Sequence, residues 1–367
     1  MEFLLDPAQL MLQQSVARFL QSQCALDRVR EIADAEQTIA DDVYESARDL
    51  EIPGILIPEK FGGVGLGFLE AALIAETLGY AVAPVPFTAT SVMAPTALLA
   101  GGSDAQKTEW LPRLASGEKT LAVGVTEQIA RRTGYGVTAL DGKLDGTAMF
   151  VLEAMEADAY LLADAAGAFH LVAGDAPGLD RNKLKTVDRT RSVAEVSLDS
   201  TPAEVLPGSV GNGEPLHATI DAGRLMLAAD TLGAAQAMLN QAVAYAKERR
   251  QFNRPIGSFQ AVKHMCSEMA AELEPCRSLV WYAAHSVAAI PSEARLMICH
   301  AKAHLAEVGQ FVARTATEVH GGMGFTDLLG LHYWFKRIGF NRQMLGGPEL
   351  IRDDAARAQG LLADSPG

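Results

Sequence analysis

The stretch Arg249-Arg250-Gln251-Phe252, followed by Phe259-Gln260, and the later run His320-Gly321-Gly322-Met323-Gly324-Phe325-Thr326 decide how this chain is interpreted. Adjacent arginines suit an anionic group, because the planar guanidinium forms bidentate, charge-assisted hydrogen bonds. Paired glycines let a backbone approach a ligand closely, because no Cβ intervenes. A basic helix end and a helix stop would explain the same residues. The flanking sequence therefore has to decide between these interpretations.

Composition limits the class of protein. The chain has 367 residues, of which 49% are hydrophobic and 21% charged, and its formal net charge is −14. A chain of this length exceeds one ordinary domain. An acidic protein lacks the basic stripe that gains counterion release on a nucleic acid, so we expect no nucleic-acid partner.

The location of the protein is predicted from three absences in the sequence. Residues 1–6 contain neither a basic region nor a long apolar run, so no secretory signal is expected. No stretch reaches the roughly 20 apolar residues of a membrane span. The four cysteines lack CxxC spacing and are expected to be reduced thiols. These features predict a cytoplasmic protein with no membrane partner.

Changes of periodicity divide the chain into three predicted domains: residues 1–118, 119–212 and 213–367. The first is predicted to be helical, with helices at Ala8–Gln21 and Leu69–Leu78, the latter stopped by Gly79, and a Pro- and Gly-rich loop over 52–67. The second consists of short apolar runs separated by Gly, Asp and Pro, which indicates a small β domain, either a barrel or a sandwich.

Long amphipathic helices are predicted in the third domain. Apolar residues recur there at spacings of three and four, which is the requirement of a helical bundle. The three stripes are Leu225, Ala228, Leu232, Ala235, Leu239, Ala242 and Ala246; then Phe259, Val262, Cys266, Met269 and Leu273; then Ile298, Ala301, Leu305, Val308, Val312 and Val319. Ser258 is placed as the N-cap of the second helix. The fold class is therefore α+β multidomain, ending in a four-helix bundle.

This order of domains, with its motifs, resembles the acyl-CoA dehydrogenase family. The likeness covers nearly the whole chain and includes Pro58–Gly65 in the first domain and Val125-Thr126-Glu127 at the start of the second. The resemblance implies FAD as cofactor and oxidation of an acyl-CoA thioester between Cα and Cβ, with a carboxylate as base. It also implies electron-transfer flavoprotein as electron acceptor and assembly into a homo-oligomer or a hetero-oligomer.

The resemblance carries over to individual residues. Arg249, Phe252 and Gln260 match residues that reach the FAD diphosphate and adenine across a subunit interface. Glu318, Gly321 and Gly322 match the turn that approaches the same cofactor, although the family has Gln where this chain has Glu318. Val125, Thr126 and Phe150 match residues at the flavin ring. Asp221 and Arg224 match a helix start that meets the CoA.

The catalytic base is the main departure from the family pattern. Family members carry the glutamate either before a Gly-Thr pair, which corresponds to Leu345, or at the position of Gly223. Neither residue accepts a proton. Glu349, Asp327 and Asp353 are weak candidates by proximity in the sequence, since most carboxylates are simply exposed.

Three interpretations remain open at this stage. In the first, the chain is a dehydrogenase for a bulky or branched acyl group and has its base elsewhere. In the second, it is a base-lacking subunit of a two-gene hetero-oligomer that acts on steroid side-chain CoA esters. In the third, it is a same-fold flavoprotein with altered chemistry, such as a desulfinase or monooxygenase. No metal site is expected, because His300 and His304 lack the glutamate of the HExxH pattern.

Overall fold

The computed structural model describes residues 4–35, 37, 39–130, 132–155 and 157–362. The outer ends of the first and third predicted domains lie outside these ranges. Helices account for most of the described chain, and sheet strands occupy one central region. The helices before the sheet are α1 (Pro7–Gln23), α2 (Leu26–Asp34), α3 (Asp41–Arg48), α4 (Phe68–Tyr80), α5 (Ala94–Gly101) and α6 (Asp104–Ala115). Those after the first strand are α7 (Thr126–Ile129), α8 (Glu214–Glu248), α9 (Gln260–Ala289), α10 (Pro291–His320), α11 (Leu331–Gln343) and α12 (Pro348–Ala358).

The described residues form two compact units. Unit 1 is drawn from Met1–Arg30, Ala72–Ala83 and Leu227–Gly367. Unit 2 is drawn from Glu31–Ala71 and Pro84–Met226. Both α4 and α8 contribute residues to each unit, so the units do not coincide with consecutive stretches of sequence. The division into three domains at residues 118 and 212 stays a prediction.

The first predicted helix is confirmed as α1. Its start is set by a capping box, in which the Asp6 carboxylate accepts a hydrogen bond from Gln9 N at 2.8 Å and Asp6 N donates to Gln9 Oε1 at 3.0 Å. Pro7 occupies the first turn, where its missing N–H costs nothing. The inward face of the helix includes the buried residues Val16 and Leu20.

The prediction that Gly79 stops α4 is wrong, because the helix continues to Tyr80. Gly79 lies against α8, where a Cβ would come within 2.0 Å of the Asp230 carbonyl oxygen. On the facing side, a Cβ on Gly233 would lie 1.7 Å from the Glu76 carbonyl oxygen. The two glycines therefore permit close approach of two helices, and Gly79 has a packing role where the sequence suggested a stop signal.

The loop predicted over residues 52–67 is confirmed in unit 2. It contains only two short 3₁₀ turns, Ile52–Gly54 and Glu59–Phe61. After α4, the segment Thr88–Met93 is a fully buried π-helix that leads into α5. The buried Glu153 carboxylate accepts hydrogen bonds from Ala89 N at 3.1 Å and Thr90 N at 2.9 Å, so it holds the start of this π-helix. Burial raises the pKa of Glu153.

The predicted β region is confirmed, and its main strands form one mixed sheet. The strand order is β6-β7-β3-β1-β4-β5-β8, with β2 paired to β3. All pairs are antiparallel except β1 with β4, where Val123 lies opposite Leu161. The strands are β1 (Leu121–Gly124), β2 (Gly136–Leu140), β3 (Lys143–Leu152), β4 (Ala159–Ala163), β5 (Phe169–Ala173), β6 (Leu179–Lys183), β7 (Val193–Pro202) and β8 (Glu204–Val205).

The long helices predicted after residue 213 are present as α8, α9 and α10. Every member of the first and third predicted stripes is buried. In the second stripe Met269 and Leu273 are buried, while Val262 and Cys266 are half-buried. The N-cap prediction for Ser258 is wrong. The helix begins after Phe259, and the Ser258 hydroxyl donates instead to the Pro255 carbonyl oxygen at 2.7 Å.

Two absences apply to the part of the chain that the structure describes. None of its helices combines the length and the apolar composition needed to cross a membrane. Within the same ranges, no three His, Cys, Asp or Glu side chains are grouped so as to hold a metal ion.

Candidate functional site

A two-residue hairpin presents the first motif. Strands β9 (Arg250–Gln251) and β10 (Arg254–Pro255) are joined by Phe252 and Asn253, whose φ angles are 50° and 61°. Two consecutive positive φ values are the geometry of a type I′ turn. The Phe252 side chain lies at the tip and is 87% exposed. A large aromatic side chain held in solvent on a tight turn is suited to contact another molecule.

The hairpin is basic. Arg249 is exposed at the end of α8, and Arg250 donates from Nη2 to the Asn253 carbonyl oxygen at 2.8 Å. The Arg254 guanidinium lies 4.0 Å from the centre of the Phe259 ring. Gln260 is exposed, and its Nε2 lies 3.1 Å from His264 Nε2. In a chain with a net charge of −14, this local concentration of arginine favours an anionic ligand.

The glycine motif forms an open turn after α10. Gly321 has φ of 58°, and a Cβ on Gly321 or Gly322 would meet no atom within 4 Å. Glu318 is exposed one turn earlier, and Phe325 is 82% exposed. Space beside a bare backbone is what close approach of a cofactor requires. The glycines also end the helix at His320, so the helix stop is confirmed, and close approach of a cofactor to this turn stays a prediction.

His320 anchors this turn from the buried side. Its Nδ1 donates to the Ala316 carbonyl oxygen at 2.7 Å, and its ring centre lies 4.6 Å from that of Tyr245. Burial lowers the pKa of His320 because the charged imidazolium would be desolvated. The histidine therefore acts as a neutral packing residue at the end of the helix.

In unit 2, the start of α7 carries an unpaired polar atom. Val125 and Thr126 are buried where β1 ends, and Thr126 Oγ1 has no hydrogen-bond partner among the residues that the structure describes. A buried hydroxyl without a partner costs about 1–3 kcal/mol. Such an atom indicates a ligand that completes the hydrogen bond.

Phe150 lies on a β-bulge near the same region of the sheet. The register of β3 with β7 shifts between Ala148 and Val151, and Phe150 has φ of 53°. A bulge redirects the side chain it carries. The Arg132 guanidinium lies 5.1 Å from the Phe150 ring centre. Glu127 accepts a hydrogen bond from Met149 N at 3.1 Å, and burial raises its pKa, so it links α7 to the bulge.

The expectation of a helix start at Asp221 is wrong, because α8 begins at Glu214. Asp221 and Arg224 lie in the third turn and are both buried, with Oδ1 and Nη1 3.8 Å apart. Gly223 is buried between them. The structure thus shows an internal ion pair at these positions, and their contact with CoA stays a prediction.

Leu345 lies in the turn between α11 and α12. Its side chain is 1% exposed, its φ is 59°, and Gly346 follows with φ of 108°. A non-glycine residue in the left-handed region carries strain of order 1 kcal/mol. Strained backbone of this kind is enriched at functional positions, which makes the turn a functional candidate.

The three weak base candidates lie at the surface. Glu349 is 76% exposed and its Oε1 lies 3.6 Å from Arg342 Nη2. Asp327 is 80% exposed and its Oδ1 lies 3.2 Å from His332 Nε2. Asp353 is also exposed. Exposed carboxylates lack the desolvated setting that tunes a general base.

The sequence patterns missed Lys302. This lysine is buried in α10, and Nζ donates to the carbonyl oxygens of Asn341 and Gly346. One signal was available: Lys302 lies between Ala301 and Ala303, four residues after Ile298 and three before Leu305, so it shares the apolar face of its helix. A lysine on such a face is buried only where acceptors are built for it.

Helices before and after a mixed sheet, a basic hairpin and an open glycine turn agree with the flavoprotein oxidoreductase class that the sequence predicts. Residues 6–118 match the family model "Acyl-CoA dehydrogenase, N-terminal domain", and residues 215–360 match "Acyl-CoA dehydrogenase, C-terminal domain". The chain is 30% identical over 356 residues to "Acyl-CoA dehydrogenase FadE27" of Mycobacterium tuberculosis, covering 88% of this chain and 89% of the relative. The chain belongs to the acyl-CoA dehydrogenase family.

Two solved structures share the fold along nearly the full chain. A chain of the ChsE4-ChsE5 complex from Mycobacterium tuberculosis is 28% identical, with a TM-score of 0.88 and coverage of 100% of both chains. A chain of the Tcur3481-Tcur3483 steroid ACAD G363A variant is also 28% identical, with a TM-score of 0.87 and coverage of 96% of this chain and 98% of that one.

FAD is the cofactor of this family, and the residues present fit it. The unpaired Thr126 Oγ1 supplies a hydrogen-bonding hydroxyl in unit 2, and the open glycine turn leaves space in unit 1. Arg249 is exposed on a basic hairpin and is chemically suited to the diphosphate. Contact of each of these residues with FAD stays a prediction.

Proposed function

We propose that this chain is the cofactor-binding, base-lacking subunit of a hetero-oligomeric acyl-CoA dehydrogenase that oxidises a bulky acyl-CoA thioester. A sister chain supplies the carboxylate that removes the α proton. This is one of the three interpretations left open by the sequence, and the position of Leu345 carries it.

The turn at Leu345 has the strained backbone that is common at functional sites, but it has no proton acceptor. Leu345 is buried in a strained left-handed conformation, and leucine has no lone pair. The other position used in the family is Gly223, which has no side chain. The turn is suited to closing an apolar pocket and unsuited to accepting a proton.

The buried carboxylates of the described residues are all engaged elsewhere. Each has a hydrogen-bonding or ionic partner that stabilises its charged form or fixes its position. They are Glu76 with Arg277, Glu127 with Met149 N, Glu153 with Ala89 N and Thr90 N, Asp164 with His170, Asp188 with Thr190, Asp221 with Arg224, and Asp230 with Arg337. Because each of these carboxylates already has a partner, the pairings favour a base from another chain.

Bound FAD supplies the acceptor for the hydride that leaves Cβ. The residues of this chain have three tasks around it. Thr126 donates a hydrogen bond, Phe150 packs against the ring, and Arg249 with Phe252 reaches the FAD of a neighbouring subunit. The exposure of Phe252 on its hairpin supports this last task, because a large apolar side chain in solvent is available to contact a neighbouring molecule.

Similar proteins support a mixed assembly and a large substrate. The ChsE4-ChsE5 structure is a complex of two different chains, and the Tcur3481-Tcur3483 structure is described as a steroid ACAD. By analogy we propose a steroid side-chain or similarly bulky acyl-CoA as substrate, and electron-transfer flavoprotein as electron acceptor. Analogy of this kind bears on the substrate class and leaves the acyl group open.

The test is anaerobic mixing of the purified chain with acyl-CoAs from short-chain to steroid, with flavin absorbance recorded over roughly 350–500 nm. The chain alone is expected to be yellow and to remain unbleached. Leu345→Glu is expected to bleach with bulky acyl-CoAs, and Leu345→Gln, its matched uncharged control, is expected not to.

Each departure from this pattern has a definite meaning. Bleaching of the unsubstituted chain would show an internal base and contradict the proposed division of labour. A yellow Leu345→Glu that never bleaches would contradict the assignment of position 345, and would favour altered chemistry. A colourless protein that takes up no added FAD would overturn the cofactor assignment.

A further inference from the structure

A buried lysine spans the turn that contains Leu345. Lys302 is only 2% exposed within α10. Its Nζ donates to the Asn341 carbonyl oxygen at 2.7 Å, to that of Arg342 at 3.3 Å, and to that of Gly346 at 3.3 Å. The ammonium thus contacts backbone on both sides of Leu345.

The acceptors explain why a charge is tolerated there. The last carbonyl groups of a helix have no partners within the helix and form the negative end of its dipole. Asn341 and Arg342 belong to the last turn of α11. The Lys302 ammonium satisfies these carbonyls and then the Gly346 carbonyl beyond them, so it fastens the helix end to the following turn.

The helix end is fastened a second time through its side chains. Asn341 Nδ2 donates to Asp230 Oδ1 at 2.6 Å and to Thr231 Oγ1 at 3.2 Å. One turn earlier, Arg337 Nη1 lies 3.1 Å from Asp230 Oδ2. These contacts hold the body of α11 against α8. Within the turn, Gly346 N donates to the Gln343 carbonyl oxygen at 3.2 Å, and Lys302 adds its contacts from α10 to the carbonyl groups on either side of Leu345.

Lys302 is unsuited to be the missing base. Its three carbonyl acceptors all require Nζ as a donor, and an ammonium has no lone pair. Its contacts instead hold backbone carbonyl groups in position.

We propose that Lys302 is a positioning residue, which fixes the backbone at Leu345 and so sets the direction in which the side chain at position 345 faces. This inference rests on the proposed function only where it concerns catalysis. Its structural part, that the Lys302 charge holds the turn in its left-handed conformation, stands independently.

The first arm of the test is amide hydrogen exchange of the FAD-loaded protein. Lys302→Met is expected to raise the exchange rate in peptides covering residues 343–347 at least about tenfold, while peptides of α8 change little. Lys302→Gln, a milder change that keeps a donor, is expected to give a smaller increase if the Met variant does not fold. Lys185→Met, at an exposed lysine, is the control. Unchanged exchange at 343–347 in both Lys302 variants would overturn the inference.

The second arm uses Leu345→Glu as the background, because a carboxylate at position 345 reports its own orientation. Adding Lys302→Met is expected to lower kcat at least about tenfold with KM changed less than about twofold, at equal flavin content. Adding Lys302→Arg, which keeps the charge, is expected to retain most of kcat. A higher KM together with a lower kcat in both variants would indicate general damage and contradict a positioning role.

The two arms separate the inference from the proposed function. If Leu345→Glu never bleaches, the assignment of position 345 fails, while hydrogen exchange still decides the role of Lys302. If Leu345→Glu is active and Lys302→Met changes neither exchange nor kcat, the inference fails and the proposed function stands.

Discussion

Arg337 and Asp230 form a fully buried ion pair, with Nη1 and Oδ2 3.1 Å apart and side-chain exposures of 0% and 2%. The same guanidinium donates from Nη2 to the carbonyl oxygens of Val82 and Ala83 at 3.4 and 3.3 Å. One arginine therefore joins α11, α8 and the end of the α4 region within unit 1. The pair fixes the helix that leads into the Leu345 turn.

Removing one partner of this pair is expected to destabilise the protein strongly. Asp230→Asn leaves a buried guanidinium without its counter-ion, which costs about 3–5 kcal/mol. The midpoint of urea unfolding, followed by circular dichroism, measures the effect. The double variant Asp230→Leu/Arg337→Met is expected to regain only part of the loss, because it removes both charges but also the hydrogen bonds to Asn341 and to the Val82 and Ala83 carbonyl oxygens. Glu109→Gln, at an exposed pair with Arg113, is the control and should change stability by less than about 1 kcal/mol.

Thr126→Val is expected to have opposite effects on the apoprotein and on cofactor binding. Without FAD the substitution removes a buried hydroxyl that has no partner, so stability should be equal or higher by up to about 1 kcal/mol. With FAD a hydrogen bond is lost, so the Kd for FAD should rise roughly five- to tenfold. Thermal unfolding of the apoprotein and titration with FAD measure the two effects.

The control for Thr126 is Thr219→Val, because the Thr219 hydroxyl is buried and already donates to the Pro215 carbonyl oxygen at 2.6 Å. This control should lose stability and retain its FAD affinity. A Thr126→Val protein that is destabilised without FAD and binds FAD normally would show that the hydroxyl has no cofactor role.

Arg249→Ala is expected to lower the flavin content of the purified protein. Loss of a charge-assisted contact of about 1.5–3 kcal/mol corresponds to an increase in Kd of roughly ten- to a hundredfold. The ratio of flavin absorbance to protein concentration gives the result directly. Arg18→Ala, at an exposed position on α1, should leave this ratio unchanged, and an unchanged ratio in Arg249→Ala would remove Arg249 from the cofactor site.

Acid is expected to destabilise the protein partly through His320. Burial lowers the pKa of His320 below its ordinary value of 6.5, so the folded state binds fewer protons there than the unfolded state does. The stability that results is present above pH 6.5 and is lost as the pH falls through the folded-state pKa. His320→Asn keeps a donor for the Ala316 carbonyl oxygen and does not titrate.

The free energy of unfolding measured from about pH 7.5 down to about pH 5.5 tests this linkage. The unsubstituted protein is expected to lose more stability over this range than His320→Asn. Parallel pH profiles of the two proteins would show that the lowered pKa of His320 makes no measurable contribution.

Sequence patterns predicted the type and order of the elements well, because apolar periodicity reports directly which face of a helix or strand is buried. The stripe from Ile298 to Val319 is buried as expected in α10. Individual boundaries were less predictable. Gly79 does not end α4 and Ser258 does not cap α9, because a local signal gives way where packing uses the same residue differently.

The candidate site was also predictable from the sequence only in part. Its motifs were recognisable because arginine, aromatic and glycine residues have distinctive chemistry at fixed spacing. The exposure of Phe252 at a hairpin tip and the unpaired Thr126 hydroxyl depend on contacts between distant residues. The burial of Lys302 against carbonyls about 40 residues away is also a long-range contact, which local propensity does not encode.

Sequence patterns were sufficient to identify the family and the helix–sheet–helix order, and they predict that Leu345 and Gly223 stand where the family places its base. The burial of Leu345 in a left-handed turn and the exposure of Glu349 and Asp327 became apparent only from the folded structure. It also showed a fixed helix end at that turn. The physical reason is that side-chain chemistry is local to a residue, whereas burial, strain and charge pairing arise only when residues far apart in the chain are brought together.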